Sequence, residues 1–464
     1  MKKRIFGALA LVGLACASLT SCDSKKVRSF TVPEAFDTEK AITVTFWNTM
    51  GDNLQVVLNE AIDGFKEVFP NVTVESTQIG NYDAVRDQIV TEMGTGNYPS
   101  LAYCYDDHVA AYNEAEITVP LNSLMENAKY GFGGTEVPYA IGKDDIISGF
   151  RTSTETFGDG NIYTLPFLRS TEVLYYNEDF FNDNNLTVPT TWEDLWTTCA
   201  RIKEIDPMST PLGYDSEANF FITLCEAYGY DYTTANSSTT EGHFLFNNAN
   251  TNAMVKQLKQ YYDKGYFTTQ QLYKAYTSGL FTTTDDIRCY MCIGSSAGAQ
   301  YQYSQAFNTG IAKVPGTAAG KSAAISQGPS LVFFNKGDDQ EVLAAWLFAQ
   351  YLLTPEIQAS FGVTSGYMPV TTPAIELPAY IATMEKAGPE TKTTLAALST
   401  KTALSQAASY FTSAVFIGSS DARDQVGALM ASVLEDTTIT ADNIDAKIKE
   451  YFDAAIKKCV YKAG

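Results

Sequence analysis

Ala41-Ile-Thr-Val-Thr-Phe-Trp47 alternates apolar and polar side chains, the period of a strand with one face in a core. The elements after it decide the fold class. Asp52 is placed to cap a helix that carries Leu54, Val57, Leu58, Ala61, Phe65 and Val68 on one face, and Pro70 ends it. Asn71 to Ser76 reads as a second strand, and Tyr82 to Met93 as a second helix stopped by Gly94 and Gly96. Pro99-Ser-Leu-Ala-Tyr-Cys-Tyr105 is a third strand, followed by a helix from about Asp107 to Glu116. Strands that take turns with helices predict an α/β fold on a mainly parallel sheet.

Upstream of this unit lies an export signal. Lys2, Lys3 and Arg4 precede the apolar run Ile5–Ala15, which is too short to span a bilayer as a helix. Leu19-Thr20-Ser21-Cys22 resembles the bacterial lipobox, so residues 1–22 are expected to direct export and Cys22 to carry lipid. Acyl chains contribute about 0.8 kcal/mol per buried CH₂, enough in combination to hold a soluble domain at a membrane. Residues 23–40 are polar, carry Pro33, and are expected to form a flexible tether.

Charge and cysteine usage narrow the function. The chain has 32 Lys+Arg against 53 Asp+Glu, a net charge of −21; losing Lys2, Lys3 and Arg4 with the signal removes three positive charges and gives −24. Such a surface repels phosphate backbones, which argues against nucleic acid as a partner. The 28 Tyr suit polar ligands with apolar faces, sugars above all, although most must serve the core. Beyond Cys22 the six cysteines are scattered. Cys289-Tyr-Met-Cys292 has redox or zinc spacing, but it sits in a run that reads as a buried strand, and the chain has only two His, so no metal site is expected.

Downstream, 127–159 is Gly-rich and irregular, and Ile162 to Tyr176 is extended. Thr190-Thr-Trp-Glu193 reads as a capping box opening a helix with Trp192, Leu195, Trp196, Cys199 and Ile202 on its apolar side. Helices return at Ala253–Tyr262 and Gln340–Leu353, and Thr354-Pro-Glu opens another.

Six segments in order resemble the extracellular solute-binding proteins of ABC importers, in the subgroup of carbohydrate and glycerol-3-phosphate binders. They are Gly80-Asn-Tyr82; Gly160-Asn-Ile-Tyr-Thr-Leu-Pro-Phe167 with Ser170-Thr-Glu-Val-Leu-Tyr-Tyr-Asn-Glu-Asp179; Pro189-Thr-Thr-Trp-Glu-Asp-Leu195; Ile293-Gly-Ser-Ser-Ala-Gly298; Ala344-Ala-Trp-Leu-Phe348; and Ser365-Gly-Tyr-Met-Pro-Val370. The resemblance implies a two-lobe periplasmic-binding-protein fold of class II type, with the ligand cleft between lobes joined by crossing segments. It implies a first lobe of 41–165 plus 306–362 and a second of 166–305 plus 363–464. It further implies a monomer without cofactor or catalysis. Such a protein captures a small solute, a mono- or oligosaccharide first and glycerol-3-phosphate or its esters second, and delivers it to the permease subunits of an ABC importer. With Cys22 lipidated, it would work at the outer face of the cytoplasmic membrane. A surface adhesin or sensor on the same fold is the non-transport alternative.

Carried over position by position, the resemblance places Gln78 and Asp106 where relatives use ligand-binding Tyr and Glu. It places Ser170 and Ser296 on ligand serines, Gly328 on a close-approach glycine, Tyr367 in the Gly-Tyr-Leu-Pro motif and Arg423 on a ligand arginine. Trp47 at a strand end is a candidate cleft wall. Gly294-Ser-Ser-Ala-Gly298 also fits the nucleophile elbow of a serine hydrolase, but both His108 and His243 precede Ser296, against the hydrolase order. Gly316-Thr-Ala-Ala-Gly-Lys-Ser322 has three residues between its glycines where a P-loop needs four.

Overall fold

The computed structural model describes residues 30–139, 141–152, 157, 160–237, 241–285 and 288–459. The expected signal, Cys22 and residues 23–29 lie outside them.

The opening strand-helix alternation builds a five-stranded sheet in the order Val72–Gln78, Ile42–Asn48, Leu101–Cys104, Ser330–Phe333, Thr164–Pro166. The first three strands are parallel, as expected. Ser330–Phe333 runs antiparallel to both of its neighbours, because it arrives from the other half of the molecule. Alternation sends Val44 and Phe46 into a core with helices Asp52–Val68 and Asp339–Leu352. Helix Tyr82–Glu92 covers the opposite face. Gly51 rather than Asp52 occupies the N-cap of the first helix.

A second sheet forms around Leu168–Asn177. This strand pairs antiparallel with Met291–Ser295, Thr309–Ala312, Ala324–Gln327 and Met368–Pro369, and Leu212–Tyr214 with Phe267–Thr269 extends the sheet in parallel. Val173 and Tyr175 face one core and Leu174 the other, so the strand is buried on both faces where its sequence turns apolar, from Val173 on. The helix after Thr190 begins at Trp192, and Thr191 caps it by accepting from Asp194 N at 3.1 Å, one residue later than the expected capping box. Among the described residues no helix is long and apolar enough to cross a membrane.

Two boundaries differ from expectation. The tether does not extend to Lys40: Phe30, Val32 and Phe36 pack on the first core, Phe36 meets Phe69 edge-on at 5.5 Å, and Lys40 pairs with Asp338 at 2.6 Å. Three apolar side chains in a polar stretch suffice to fix it. Phe36→Ala is expected to lower stability in urea unfolding by about 1–2 kcal/mol, where a free tether gives no change. The second difference concerns the return to the first sheet, expected at 306. Strands Thr309–Ala312 and Ala324–Gln327 still pair with Leu168–Asn177, and the chain rejoins the first sheet only at Ser330.

Candidate functional site

Among the described residues three connectors join the two halves: Phe167 and Gly328-Pro329 between strands of the two sheets, and Gly366-Tyr367 between helix Pro355–Ser365 and strand Met368–Pro369. They are stitched together. Phe167 N and Leu168 N both donate to Pro329 O, at 3.1 and 3.3 Å. Buried Arg169 donates to Leu168 O, Pro329 O and Ser330 Oγ at 3.0–3.2 Å and faces Asp106 at 3.8 Å. Its hydrogen-bonding capacity is thus committed to the crossing.

Between the sheets lies a cleft of about 920 Å³. The first half contributes Tyr82 and Tyr105, whose rings stack at 4.2 Å, and Tyr82 OH lies 3.5 Å from Tyr367 OH. The second half offers Tyr276 and Tyr301, 61% and 65% exposed at the mouth. Aromatic faces on both walls leave a slot that suits ring-shaped ligands with apolar patches.

Polar groups line the floor in one network. Glu172, on the crossing strand, accepts from Tyr214 OH at 2.6 Å and Asn219 Nδ2 at 2.9 Å. Asn219 also donates to Gln327 at 2.8 Å and accepts from Arg423. The Arg423 guanidinium lies over the Tyr105 ring at 5.9 Å. Burial pushes the Glu172 carboxyl up to about 7; the bonds from Tyr214 and Asn219 and the charge of Arg423 offset this only in part. Burial likewise raises Asp215, which accepts from Thr277 N and Oγ1 at 2.6 Å.

Contacts also cross the opening. Asn53 donates to Gln300 at 3.0 Å, Ser420 to Asp107 at 3.4 Å, and Arg86 faces Asp424 at 3.4 Å. Desolvation by both walls raises Asp424 to about 6 despite Arg86.

The expected site residues divide. Ser170, Gly328, Tyr367 and Arg423 line the cleft. Asp106 lies behind it, on a side cavity of about 60 Å³ shared with Gly328 and Arg423, where it accepts from Thr164 Oγ1 at 2.9 Å. Ser296 is fully buried beneath the floor; its hydroxyl accepts from Thr171 N at 3.2 Å, which is no posture for a hydrolase nucleophile. Gln78 is exposed at the end of its strand, just ahead of Gly80 on the rim. Trp47 points away from the cleft, because alternation turns it with Thr45 toward helix Tyr82–Glu92, and it packs there against the cluster that holds Val85, Ile89 and Ala102. Glu172, Asn219, Gln327, Tyr105, Tyr276 and Tyr301 are cleft residues that sequence reasoning misses. Glu172 carries a readable signal, a carboxylate directly before the apolar run Val173–Tyr176 of its strand. The rest come together only through the fold. The six described cysteines are free and buried, Cys289 and Cys292 included. Gly316–Ser322 is a loop between strands, with Gly316 bonded to Thr190 and Trp192.

Known proteins resemble this arrangement. The sn-glycerol-3-phosphate-binding periplasmic protein UgpB of Escherichia coli (strain K12) is 26% identical over 348 residues, covering 72% of this chain and 76% of the relative. The same protein of Yersinia pestis is 25% identical over 347 residues, covering 72% and 75%. The crystal structure of UgpB from Mycobacterium tuberculosis with glycerophosphocholine superposes with a TM-score of 0.71 at 17% identity, covering 90% of this chain and 99% of that one. The Listeria monocytogenes protein Lmo0181 with cycloalternan gives 0.70 at 15% identity, covering 90% and 99%. These structures share the two-lobe fold. The sequence profile described as bacterial extracellular solute-binding protein matches residues 60–388, and the chain belongs to that family.

Proposed function

We propose that this protein is the receptor of an ABC importer that captures a carbohydrate, a mono- or oligosaccharide, by closing two lobes around it and presenting it to the permease subunits. The observation that carries the reading is the cleft itself: tyrosine faces on both walls over a floor of carboxylates and amides, which accept and donate to hydroxyl groups. Solved proteins of the same fold with cycloalternan and acarbose support it. The lobes are assigned as 30–166 with 330–365, and 168–327 with 368–459, following sheet membership. A ligand that touches both lobes only when they close shifts the equilibrium by its differential affinity. Lipid on Cys22 would keep this monomeric receptor at the outer face of the cytoplasmic membrane. A second reading, a glycerol phosphate ester, rests on Arg423 in the cleft and on the ligand that the UgpB relatives are named for.

A thermal-shift screen of mono- and oligosaccharides and glycerol phosphates tests this. A true ligand at a hundredfold excess over Kd adds about 2.7 kcal/mol of stability and raises the melting temperature. Tyr367→Ala is expected to weaken that ligand about tenfold, the loss of one aromatic contact. A screen in which no sugar or phosphate ester moves the transition would sink the carbohydrate reading.

A further inference from the structure

We infer that the cleft selects by charge: it admits polyhydroxy ligands that are neutral or carry an amine, and it rejects phosphate esters. This deepens the carbohydrate reading and rests on the same cleft.

Among the described residues, the cavity is lined by the carboxylates of Asp83, Glu172, Asp215, Glu217 and Asp424 and by a single cation, Arg423. Asp83 and Asp424 are offset by Arg86 on the rim, each at 3.4 Å. Among the described residues no ion pair engages Glu172, Asp215 or Glu217, and all three sit on the second-lobe wall. Glu217 is 3% exposed and accepts from Gln271 N at 2.8 Å. Arg423, the group a phosphate would need, donates to Asn219 and leans on Tyr105, inside the field of Glu172. One of its nitrogens is thus already engaged, and the charge it offers an incoming anion is partly answered by Glu172.

Two helix N-termini face the cavity, Tyr82–Glu92 and Glu217–Tyr228, and such ends favour anions. Each already carries an acid in its first turn, Asp83 and Glu217, and Asp215 stands two residues ahead of the second helix. The dipoles are answered from within the chain. An added phosphate would meet like charge between the walls of the cleft, and such juxtaposition is unfavourable. An ammonium would meet three carboxylates, with Tyr276 and Tyr301 exposed at the mouth. The discrimination thus opposes the ligand of the UgpB relatives, while the fold is shared with them.

The test has two arms, both at pH 8 on the full mature protein. In the first, Ser278→Cys places a thiol on the cleft wall, and its rates of modification by a trimethylammonium-ethyl and a sulfonatoethyl methanethiosulfonate are compared, normalised to a free thiol, with the parent protein as background. The cationic reagent is expected to react about tenfold or more faster, and adding Glu172→Gln with Glu217→Gln is expected to bring the ratio toward one. In the second arm, glucose, glucosamine and glucose 6-phosphate, maltose, and glycerol with sn-glycerol 3-phosphate are titrated by calorimetry. Binding confined to neutral or amino sugars supports the inference. Equal thiol rates, or sn-glycerol 3-phosphate binding as tightly as any neutral sugar, overturn it and leave the protein a solute receptor. A charge-selective thiol with no sugar binding upholds the charge selection and defeats the carbohydrate reading instead.

Discussion

Gly328→Ala is expected to destabilise the protein by on the order of 3 kcal/mol and to weaken ligand capture beyond that. Gly328 has φ +130°, a backbone region that side-chain-bearing residues adopt only with strain of about 1–3 kcal/mol. A Cβ there would lie 2.5 Å from Leu168 O, 2.9 Å from Arg169 Cα and 3.1 Å from Ser170 N. All three are backbone atoms of the strand Leu168–Asn177, so no side-chain rotation relieves the clash, and overpacking adds about 1–3 kcal/mol more. The shift would pass into the bonds from Phe167 and Leu168 to Pro329 and into Ser170 on the cleft floor. Gly298→Ala is the control: it lies on the same cleft, but its added Cβ would meet nothing within 4 Å. Urea unfolding of the two variants should therefore differ by most of the predicted loss. If Gly328→Ala unfolds like Gly298→Ala, the connectors are not a close-packed hinge.

This glycine shows why the sequence can be read so far and no further. The strand-helix alternation from Ala41 to Glu116 is local, and it survives folding almost residue for residue. Motif resemblance then supplies Ser170, Gly328, Tyr367 and Arg423, all on the cleft. What fails depends on distant pairing. The strands Thr309–Ala312 and Ala324–Gln327 are four residues each, and their partner lies well over a hundred residues upstream, so nothing nearby says which sheet they join. Trp47 is misplaced by a single step of alternation, which turns it to the opposite face from Asn48. Ser296 shares a motif with ligand serines but is held under the floor by Thr171. Asn219 joins Glu172, Gln327 and Arg423, residues from four separate segments, and only the assembled lobe brings them together.

That network yields the second large effect. Glu172→Gln is expected to be more stable than the parent at pH 8 and to lose that advantage at pH 5. In the folded protein burial raises the Glu172 carboxyl to about 7 from its ordinary 4.5. The folded state thus holds its proton more tightly than the unfolded chain does. The stability that Glu172 contributes is full below pH 4.5, falls as pH rises toward 7, and is lost above it. At about 1.4 kcal/mol per factor of ten, the parent gives up on the order of 3 kcal/mol across that window. Glutamine has no proton to lose. Its amide nitrogen fits the side facing Tyr214 and Thr223, whose hydroxyls can accept, and its oxygen keeps the bond from Asn219 Nδ2. Asp215 and Asp424 are also raised by burial in both proteins, so their contributions cancel between them apart from the part of the Glu172 rise that comes from the charge of Asp215. Denaturant unfolding of the pair at pH 5 and pH 8 isolates Glu172. A parent-to-variant difference that does not change with pH would mean that the carboxylate is ionised without penalty, and that water or a cation reaches it. A difference that grows toward high pH makes Glu172 an unpaired buried charge at the cleft floor, the condition on which repulsion of an incoming phosphate depends.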